Sequence, residues 1–586
     1  MKYTLNKPKD LNEQKISSFA AAKKLWPLLR EEKKTLILAI IAIIVNSTLT
    51  LIAPLIVAHV IDTYIGTSRY DGVILFSVLL LAIFIIALIA SYLQTKLMGG
   101  VGQRVLYRLR NSVFNKLQEL PVVFFNQNKA GDLISRINND TDKLNQFFSQ
   151  ALMQFIGSAF IMLGAAVFLV FINVRLGFAA LAPVFGLLIF TQLTSAWIKS
   201  KNAMNMKALG GMSSEIQESL NNFKVIVAFN RRDYFRERFQ QANNENYQSS
   251  IGAGLANNLY TPIYGLSSHL AQLIVLSYGV VLIAGGDFTV GLLISFLAYV
   301  LHFYNPLRHL ASLWTTFQTA MAGWDRVSEI LAMEPDLLTI ESETMSKKSF
   351  FAFENVSFGY PDGKTVLHDI NFQLEKGKTY ALVGPTGGGK TTTASLMARL
   401  YDPTSGTVIL DGKDIRSYSP TERTKKIGFI LQEPFLFAGT VIENIFYGNE
   451  EYAGKTSEEL KKVIEASGLA GLLKRFDGIL DMKVSATGDA ISLGQRQLIA
   501  FMRAVLRKPE LLILDEATAN VDTVTEKLLE ETLEALPKET TKVVIAHRLN
   551  TIENADEIFF VNGGTVRPAG SMEQAVEMLM QGKRKS

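Results

Sequence analysis

The segment Gly384-Pro385-Thr386-Gly387-Gly388-Gly389-Lys390-Thr391 brings together the residue types that hold a polyphosphate. Glycines let the backbone curl so that successive N–H groups face an anion. The lysine neutralises β/γ charge, and the hydroxyl of Thr391 can hold Mg²⁺. The loop follows the apolar run Tyr380-Ala381-Leu382-Val383 and opens a helix through Thr392, the context such a loop requires. Nucleoside triphosphate binding is therefore expected of Gly384, Thr386, Gly387, Gly388, Gly389, Lys390, Thr391 and Thr392. Farther along, Leu511-Leu512-Ile513-Leu514 ends in Asp515-Glu516. Asp515 suits Mg²⁺, generally through water, and Glu516 suits proton abstraction from an attacking water, a general-base role worth about 10² to 10⁴ in rate. An acidic strand end alone is a common solvated feature. Paired with Lys390 and Thr391, it completes a phosphoryl-transfer site.

The elements that must position these groups come from a chain of split composition. Before about residue 315 the 586-residue sequence is dominated by apolar runs, and after it the charge density and alternating patterns are those of a soluble α/β domain. Runs at 35–61, 73–97, 148–172, 176–196, 259–284 and 290–313 each approach the ~20 residues that cross a bilayer, predicting about six spanning helices. One such run could be a buried soluble helix; the succession, with almost no internal charge, favours a membrane domain.

Positive side chains accumulate on alternate loops. Lys23, Lys24, Arg30, Lys33 and Lys34 precede the first run, Arg104, Arg108, Arg110, Lys116 and Arg136 follow the second, and Lys199, Lys201, Arg231, Arg232, Arg236 and Arg238 follow the fourth. The opposite loops carry only Arg69 and Arg175. This asymmetry predicts cytoplasmic termini and a cytoplasmic second domain. No cleavable signal peptide is visible, and the acidic, Arg-poor start does not resemble a mitochondrial transit sequence. With no cysteine, neither disulfides nor thiolate metal sites contribute. The net charge of +5 is accounted for by the basic loops and calls for no nucleic-acid partner.

The expected organisation is a transmembrane domain over 1–331, a polar linker over 332–348 and a nucleotide-binding domain over 349–586. Residues 16–29 suit a helix lying at the inner membrane surface, or an ordinary amphipathic lead-in to the first span. Helical patterning of the second, fourth and sixth runs continues past the membrane, the second as far as the break at Pro121. Such extensions could transmit force to the soluble domain. The terminal 582–586 is expected to be a solvated tail.

Ile491-Ser492-Leu493-Gly494-Gln495-Arg496-Gln497 precedes the Asp-Glu strand as an LSGGQ signature does, and with it the chain resembles the ATP-binding cassette (ABC) family over nearly its whole length. By that resemblance Tyr360 stacks on adenine and Gln432 links the nucleotide and its Mg²⁺ to the membrane domain. Asp522 contacts the second cassette, and His547 is the switch histidine at the γ-phosphate. Plain alternatives are a core aromatic, a surface amide and a satisfied strand-end histidine. Leu120-Pro121-Val122-Val123-Phe124-Phe125 with Gly131-Asp132-Leu133-Ile134-Ser135-Arg136 and Asp140 resembles the first coupling segment of six-helix exporters, and residues 218–231 the second. The implied fold is a membrane all-α six-helix domain (type I ABC exporter, also called type IV) followed by an α/β P-loop domain. The implied assembly is a dimer in which each ATP lies between one P-loop and the other chain's Ser492, Gly494 and Gln495.

Leu493 stands where the signature usually has glycine, Ile491 replaces leucine, and Ala486 replaces the glutamate of a VGExG segment. With Lys390, Gln432, Glu516 and His547 all present, the chain is similar to the catalytic-glutamate-bearing subunit of heterodimeric bacterial exporters. The resemblance implies ATP-driven export of amphipathic compounds from a cell membrane. A homodimeric lipid flippase, a peptide exporter and an ATP-gated channel or sensor remain open. Asn46, Gln94, Gln154, Gln192, His269, Gln272, His302 and Asn305 are the polar residues within the runs that could line a pathway, although hydrogen bonds between helices would equally explain any one of them.

Overall fold

A computed structural model describes residues 3–5, 27–66, 69–335, 339–341, 349–360, 363–485, 490–515, 523–545 and 554–584. Contacts group them into two units, one of Met1–Leu5, Gln118–Ala130 and Met333–Ser586 and the other of Asn6–Leu117 and Gly131–Ala332. Trp26 and most of the expected surface helix lie outside the described residues.

In the second unit, apolar sequence long enough to cross a bilayer folds as helix because lipid offers no partner for backbone N–H and C=O groups. Six helical segments among the described residues are long and apolar enough to span: Pro27–Ile65, Tyr70–Glu119, Ala130–Ile172, Val174–Asn221, Arg232–Ala284 and Val290–Leu331. Each contains one of the predicted runs and extends beyond it. The helices along the chain are α1 (Lys33–Val60), α2 (Tyr70–Glu119), α3 (Val122–Gln127), α4 (Ala130–Ser135), α5 (Thr141–Gln146), α6 (Leu152–Ile172), α7 (Val174–Leu181), α8 (Pro183–Asn221), α9 (Phe223–Ala228), α10 (Arg232–Asn258), α11 (Tyr260–Ala284) and α12 (Val290–Leu331). Wide π turns at Ile61–Ile65, Arg136–Asp140 and Phe147–Ala151 interrupt the regular helix.

Helix α12 packs along α1, α6 and α11 through a core that includes Leu51, Leu169, Phe296, Tyr299 and Val300, with Leu176 of α7 in the same cluster. Its hydroxyls also settle polar groups that lipid would leave unpaired. Ser295 donates to the Pro54 carbonyl, Tyr299 Oη to Leu51 O at 2.5 Å and Tyr304 Oη to Ala180 O at 2.9 Å. Pro54 lies inside α1, where it lacks the N–H that would reach the Thr50 carbonyl, and the α12 hydroxyls add cross-helix bonds to the nearby carbonyls of Leu51 and Pro54. The N-terminus of α12 is closed by Asp62, whose carboxylate accepts from Thr289 Oγ1 at 2.5 Å and Gly291 N at 2.8 Å. At the polar end of α1, buried Glu32 takes a two-pronged ion pair from Arg104, 3.0 and 2.7 Å, and a further bond from Arg108. The outward faces of α1, α2 and α8 stay apolar, with Ile37, Leu75, Leu88 and Leu193 all exposed, as a bilayer requires.

The first unit contains twelve described strands: β1 (Phe351–Gly359), β2 (Thr365–Leu374), β3 (Thr379–Val383), β4 (Ser405–Leu410), β5 (Lys413–Asp414), β6 (Ile427–Ile430), β7 (Gly439–Thr440), β8 (Lys483–Val484), β9 (Leu511–Asp515), β10 (Thr541–Ile545), β11 (Glu557–Asn562) and β12 (Thr565–Pro568). They form a four-stranded sheet β2-β1-β4-β5, a six-stranded sheet β12-β11-β3-β10-β9-β6 and a β7-β8 pair. In the six-stranded sheet every pairing except β11–β12 is parallel. Strand β9 reads as an apolar run up to Asp515, and β3 and β10 carry apolar runs toward their carboxyl ends, because these strands are buried on both faces. The terminal helix runs to Arg584, so part of the expected tail is helical.

This unit also holds the segment after α2. Pro121 ends that helix as predicted and precedes α3, whose Phe124 is fully buried. Val123 packs on the core between the two larger sheets, and Asn126 Nδ2 donates to Tyr401 Oη at 2.9 Å. Residues Tyr3–Leu5 form an extended strap against the same helix. Tyr3 N donates to Gln127 Oε1 and Leu5 N to Asn128 Oδ1, each at 3.0 Å, and Asn128 Nδ2 returns a bond to Tyr3 O at 2.9 Å.

Candidate functional site

The carboxyl ends of β3, β10 and β9 lie side by side, with Leu382 opposite Ile545 and Ile545 opposite Asp515. At about 4.8 Å per strand, β3 and β9 are about 10 Å apart, a gap that a side chain from each can close. The loop leaves β3 through Gly384 at φ +151, passes Gly387 at +80 and Gly389 at +114, and enters helix α13 (Lys390–Met397). A side chain could not occupy the first position, since a Cβ on Gly384 would stand 2.0 Å from Val561 O. Lys390 is 5% exposed, and its Nζ donates to the carbonyls of Gly384 at 2.9 Å and Pro385 at 3.1 Å, which holds the ammonium across the loop.

Thr391 Oγ1 lies 3.5 Å from Asp515 Oδ1, and Asp515 is 2% exposed. A hydroxyl and a buried carboxylate aimed at one point form a hard, all-oxygen donor set of the kind that suits Mg²⁺. Tyr360 packs edge-on against Phe358 at 5.0 Å and Tyr401 at 5.5 Å, with its hydroxyl 3.2 Å from Thr392 Oγ1. The structure thus gathers Tyr360, Lys390, Thr391, Thr392 and Asp515 around one loop, while Thr386 lies within the turn itself. Gln432, just beyond β6, is exposed.

The signature stands on a different core. Ile491 is buried among Leu472, Phe476, Leu498 and Ile499, and helix α14 (Leu493–Val505) starts immediately after it. Ser492 is the N-cap: its Oγ accepts from Gln495 N at 3.1 Å, and Gln495 Oε1 accepts from Ser492 N at 3.0 Å. This reciprocal box satisfies two helix-end donors. Leu493 opens the helix at 37% exposure with an ordinary negative φ, and Gly494 follows in the first turn. Leucine in place of the usual signature glycine therefore causes no local strain. Glu516, Asp522, His547 and Ala486 lie outside the described residues.

Residues 36–307 match the model of the ABC transporter transmembrane region, and residues 367–519 match that of the ABC transporter ATP-binding domain. An uncharacterised ABC transporter ATP-binding protein of Bacillus subtilis is 32% identical over 563 residues, covering 94% of this chain and 92% of the relative. A fatty acid ABC transporter ATP-binding/permease protein of Mycobacterium bovis is 33% identical, over 84% and 78%. A multidrug resistance ABC transporter of Lactococcus lactis is 30% identical, over 92% and 90%. The chain is a half-transporter of the ABC exporter family. It is a multi-pass membrane protein that couples ATP hydrolysis to transport, and half-transporters of this kind function as dimers within a membrane.

Two features of this half-transporter escaped the sequence reading. The turn Asn562-Gly563-Gly564 between β11 and β12 buttresses the phosphate loop, with Gly564 N donating to Gly388 O at 3.2 Å. An Asn-Gly-Gly run between apolar strands is a hairpin signal that could have revealed the turn, though not its partner. The second is a cavity of about 270 Å³ in the membrane unit, beside Pro54, lined by residues that include Thr50, Phe84, Ser295 and His302. Of the polar pathway candidates, it gathers only His302 among its described lining.

Proposed function

We propose that this half-transporter exports amphipathic, multidrug-type compounds by alternating access, paired with a different half-transporter. The observation that carries the ATP half of this reading is the pair of buried residues Lys390, at the helix start after β3, and Asp515, at the end of β9 two strands away, with Thr391 Oγ1 3.5 Å from Asp515. Lys390 neutralises charge on the β- and γ-phosphates, the loop N–H groups orient them, and Tyr360 offers its ring to adenine. Thr391, Asp515 and Gln432 would hold Mg²⁺, which when bound screens charge on the phosphoryl oxygens. Glu516 takes the proton of the water that attacks the γ-phosphorus, and His547 donates to the γ-phosphate. Ser492, Gly494 and Gln495 complete the ATP site of the partner chain, and Asp522 meets that chain. The basic loops support termini and a cassette on the cytoplasmic side, and bacterial proteins among the relatives support a bacterial cell membrane.

Leu493, tolerated by the fold yet projecting from the helix start, supports a weakened signature side and hence a heterodimer. Export of amphipathic molecules draws support from the uncharged apolar cavity lining and from the multidrug resistance protein among the relatives. The test is to purify the chain alone and with a partner half-transporter encoded beside it. The expected outcome is weak ATPase alone and drug-stimulated ATPase when paired. Vigorous stimulated turnover from a homodimer would refute the pairing.

A further inference from the structure

Arg136, at 0% exposure, is with Arg399 one of two fully buried arginines among the described residues, and no step of ATP binding or hydrolysis uses it. Its Nε donates to Asp132 Oδ2 at 3.1 Å, and its Nη1 to Glu329 Oε2 at 2.7 Å and the Arg326 carbonyl at 2.8 Å. Arg326 in turn donates to Asp132 Oδ1 at 2.6 Å and pairs with Asp140 Oδ2 at 3.2 Å, while Lys143 closes on Asp140 Oδ1 at 2.9 Å. Signs alternate along the whole series: Glu329, Arg136, Asp132, Arg326, Asp140, Lys143. The three acids match the three bases, so the buried cluster is neutral only as a set.

The backbone is shaped to bring the cluster together. Arg136 and Asp140 begin and end a π turn, whose extra width brings positions four apart toward one side of the helix. Against it lies Gly323 of α12, where a Cβ would stand 2.9 Å from Asp140 O. Only glycine permits that approach. Around the charges, Leu144, Met321, Val327 and Ile330 are buried, and within the cluster Arg136 and Asp140 are closed off from water while the other four side chains keep a partly exposed edge.

The cluster also occupies a particular place along the chain. The polypeptide passes from the membrane unit to the cassette unit between Leu117 and Gln118, returns between Ala130 and Gly131, and leaves again between Ala332 and Met333. Residues 132–143 begin just after one crossing, and 326–329 end just before another. We propose that Arg136 is a positioning residue that clamps these two covalent connections together, so that nucleotide-driven movement of the cassette drives α6 and α12 as one body. Removing Arg136 takes away the cation that Asp132 and Glu329 share, whereas removing Glu329 leaves the buried guanidinium one carboxylate short, so the first change should loosen the clamp more than the second. The inference rests on the ATP-driven transport described above.

The test is hydrogen–deuterium exchange on the complete transporter in lipid nanodiscs, with and without ATP plus vanadate. In the wild type, nucleotide should protect 384–397 and change exchange in 33–60 and 290–331. Arg136→Gln should keep the protection at 384–397 and lose about tenfold of the membrane response, the size of effect expected for a coupling position. Glu329→Gln, which removes one charge from a less buried site, should do the same more weakly. If Arg136→Gln fails to fold, Asp132→Cys/Arg326→Cys decides, since the natural chain has no cysteine. A short bis-thiosulfonate bridge should restore the response that the unbridged pair has lost. A membrane response equal to wild type in Arg136→Gln and Glu329→Gln, or one unaffected by bridging, overturns the clamp. A wild-type membrane unit that ignores nucleotide overturns the transport reading itself, and the clamp with it.

Discussion

The phosphate loop and the signature helix both meet ATP in this family, yet they are built on opposite principles. The loop depends on distant chain: three positive-φ glycines, the carbonyl of Val561, the turn at Gly564 and a carboxylate two strands away must coincide. The signature's helix start is closed mainly by its neighbours, since Ser492 and Gln495 cap their own helix three residues apart and Gln495 adds one bond to Arg475 O at 3.3 Å. A tertiary arrangement tolerates almost no substitution. A local cap tolerates any residue that leaves the cap intact, which is why Leu493 fits without strain.

Several substitutions would break or sharpen that contrast. Glu516→Gln in the paired transporter should retain ATP binding and lose about 10² to 10⁴ in turnover, measured by phosphate release. Near-normal hydrolysis would remove Glu516 from the base role. Gly384→Ala should weaken nucleotide affinity by at least about a hundredfold, because the Val561 carbonyl occupies the place of the new methyl. Titration with a fluorescent ATP analogue would show it. Ser492→Ala removes one local cap, with an expected cost of about 1 kcal/mol to the signature helix, visible as faster exchange at 493–497 while 384–397 is unchanged. Leu493→Gly should move cassette stability by no more than about 1 kcal/mol. If it raises ATPase of the isolated chain severalfold, the leucine weakens the site in the dimer rather than in the fold.

The smallest effect concerns an ion-pair group remote from both. Lys426 donates to Asp411 at 2.5 Å and to Glu510 at 2.6 Å, and Lys376 reaches Glu510 at 2.9 Å. Partial burial would push the Glu510 carboxyl up, but bonds from Lys426 and Lys376 outweigh it and hold it below the usual range. For Lys426, burial pulls down while Asp411 and Glu510 raise it further. The Glu510 contribution is therefore complete at neutral pH and lost as pH falls through its lowered value. Glu510→Gln should cost about 1 kcal/mol or less at pH 7, and the gap in melting temperature should close in acid.

Local patterns made much of this molecule legible. The strand before Gly384, the helix after it and the break at Pro121 each follow from a few adjacent residues, and apolar length alone marked the six spans. What stayed hidden depends on pairing across the chain. No spacing in the sequence says that Ile545 stands between Leu382 and Asp515, or that Gly564 props Gly388. The π turn at Arg136 carries no proline or glycine to announce it, and Arg136 reads as one more basic loop residue until Glu329 and Asp132 are found beside it. Tyr360 was predicted for adenine, but its edge-on contact with Tyr401 and bond to Thr392 depend on segments about forty and thirty residues away.

The strap at Tyr3–Leu5 has a consequence for biogenesis. Chains are synthesised from the amino end, and Tyr3 Oη bonds to the Glu334 carbonyl, 331 positions later, while its backbone needs Gln127 and Asn128. The bond from Tyr3 to Glu334 can form only after every spanning helix has been synthesised, which makes full closure of the strap a late event of maturation even though its bonds to Gln127 and Asn128 need only the first part of the chain.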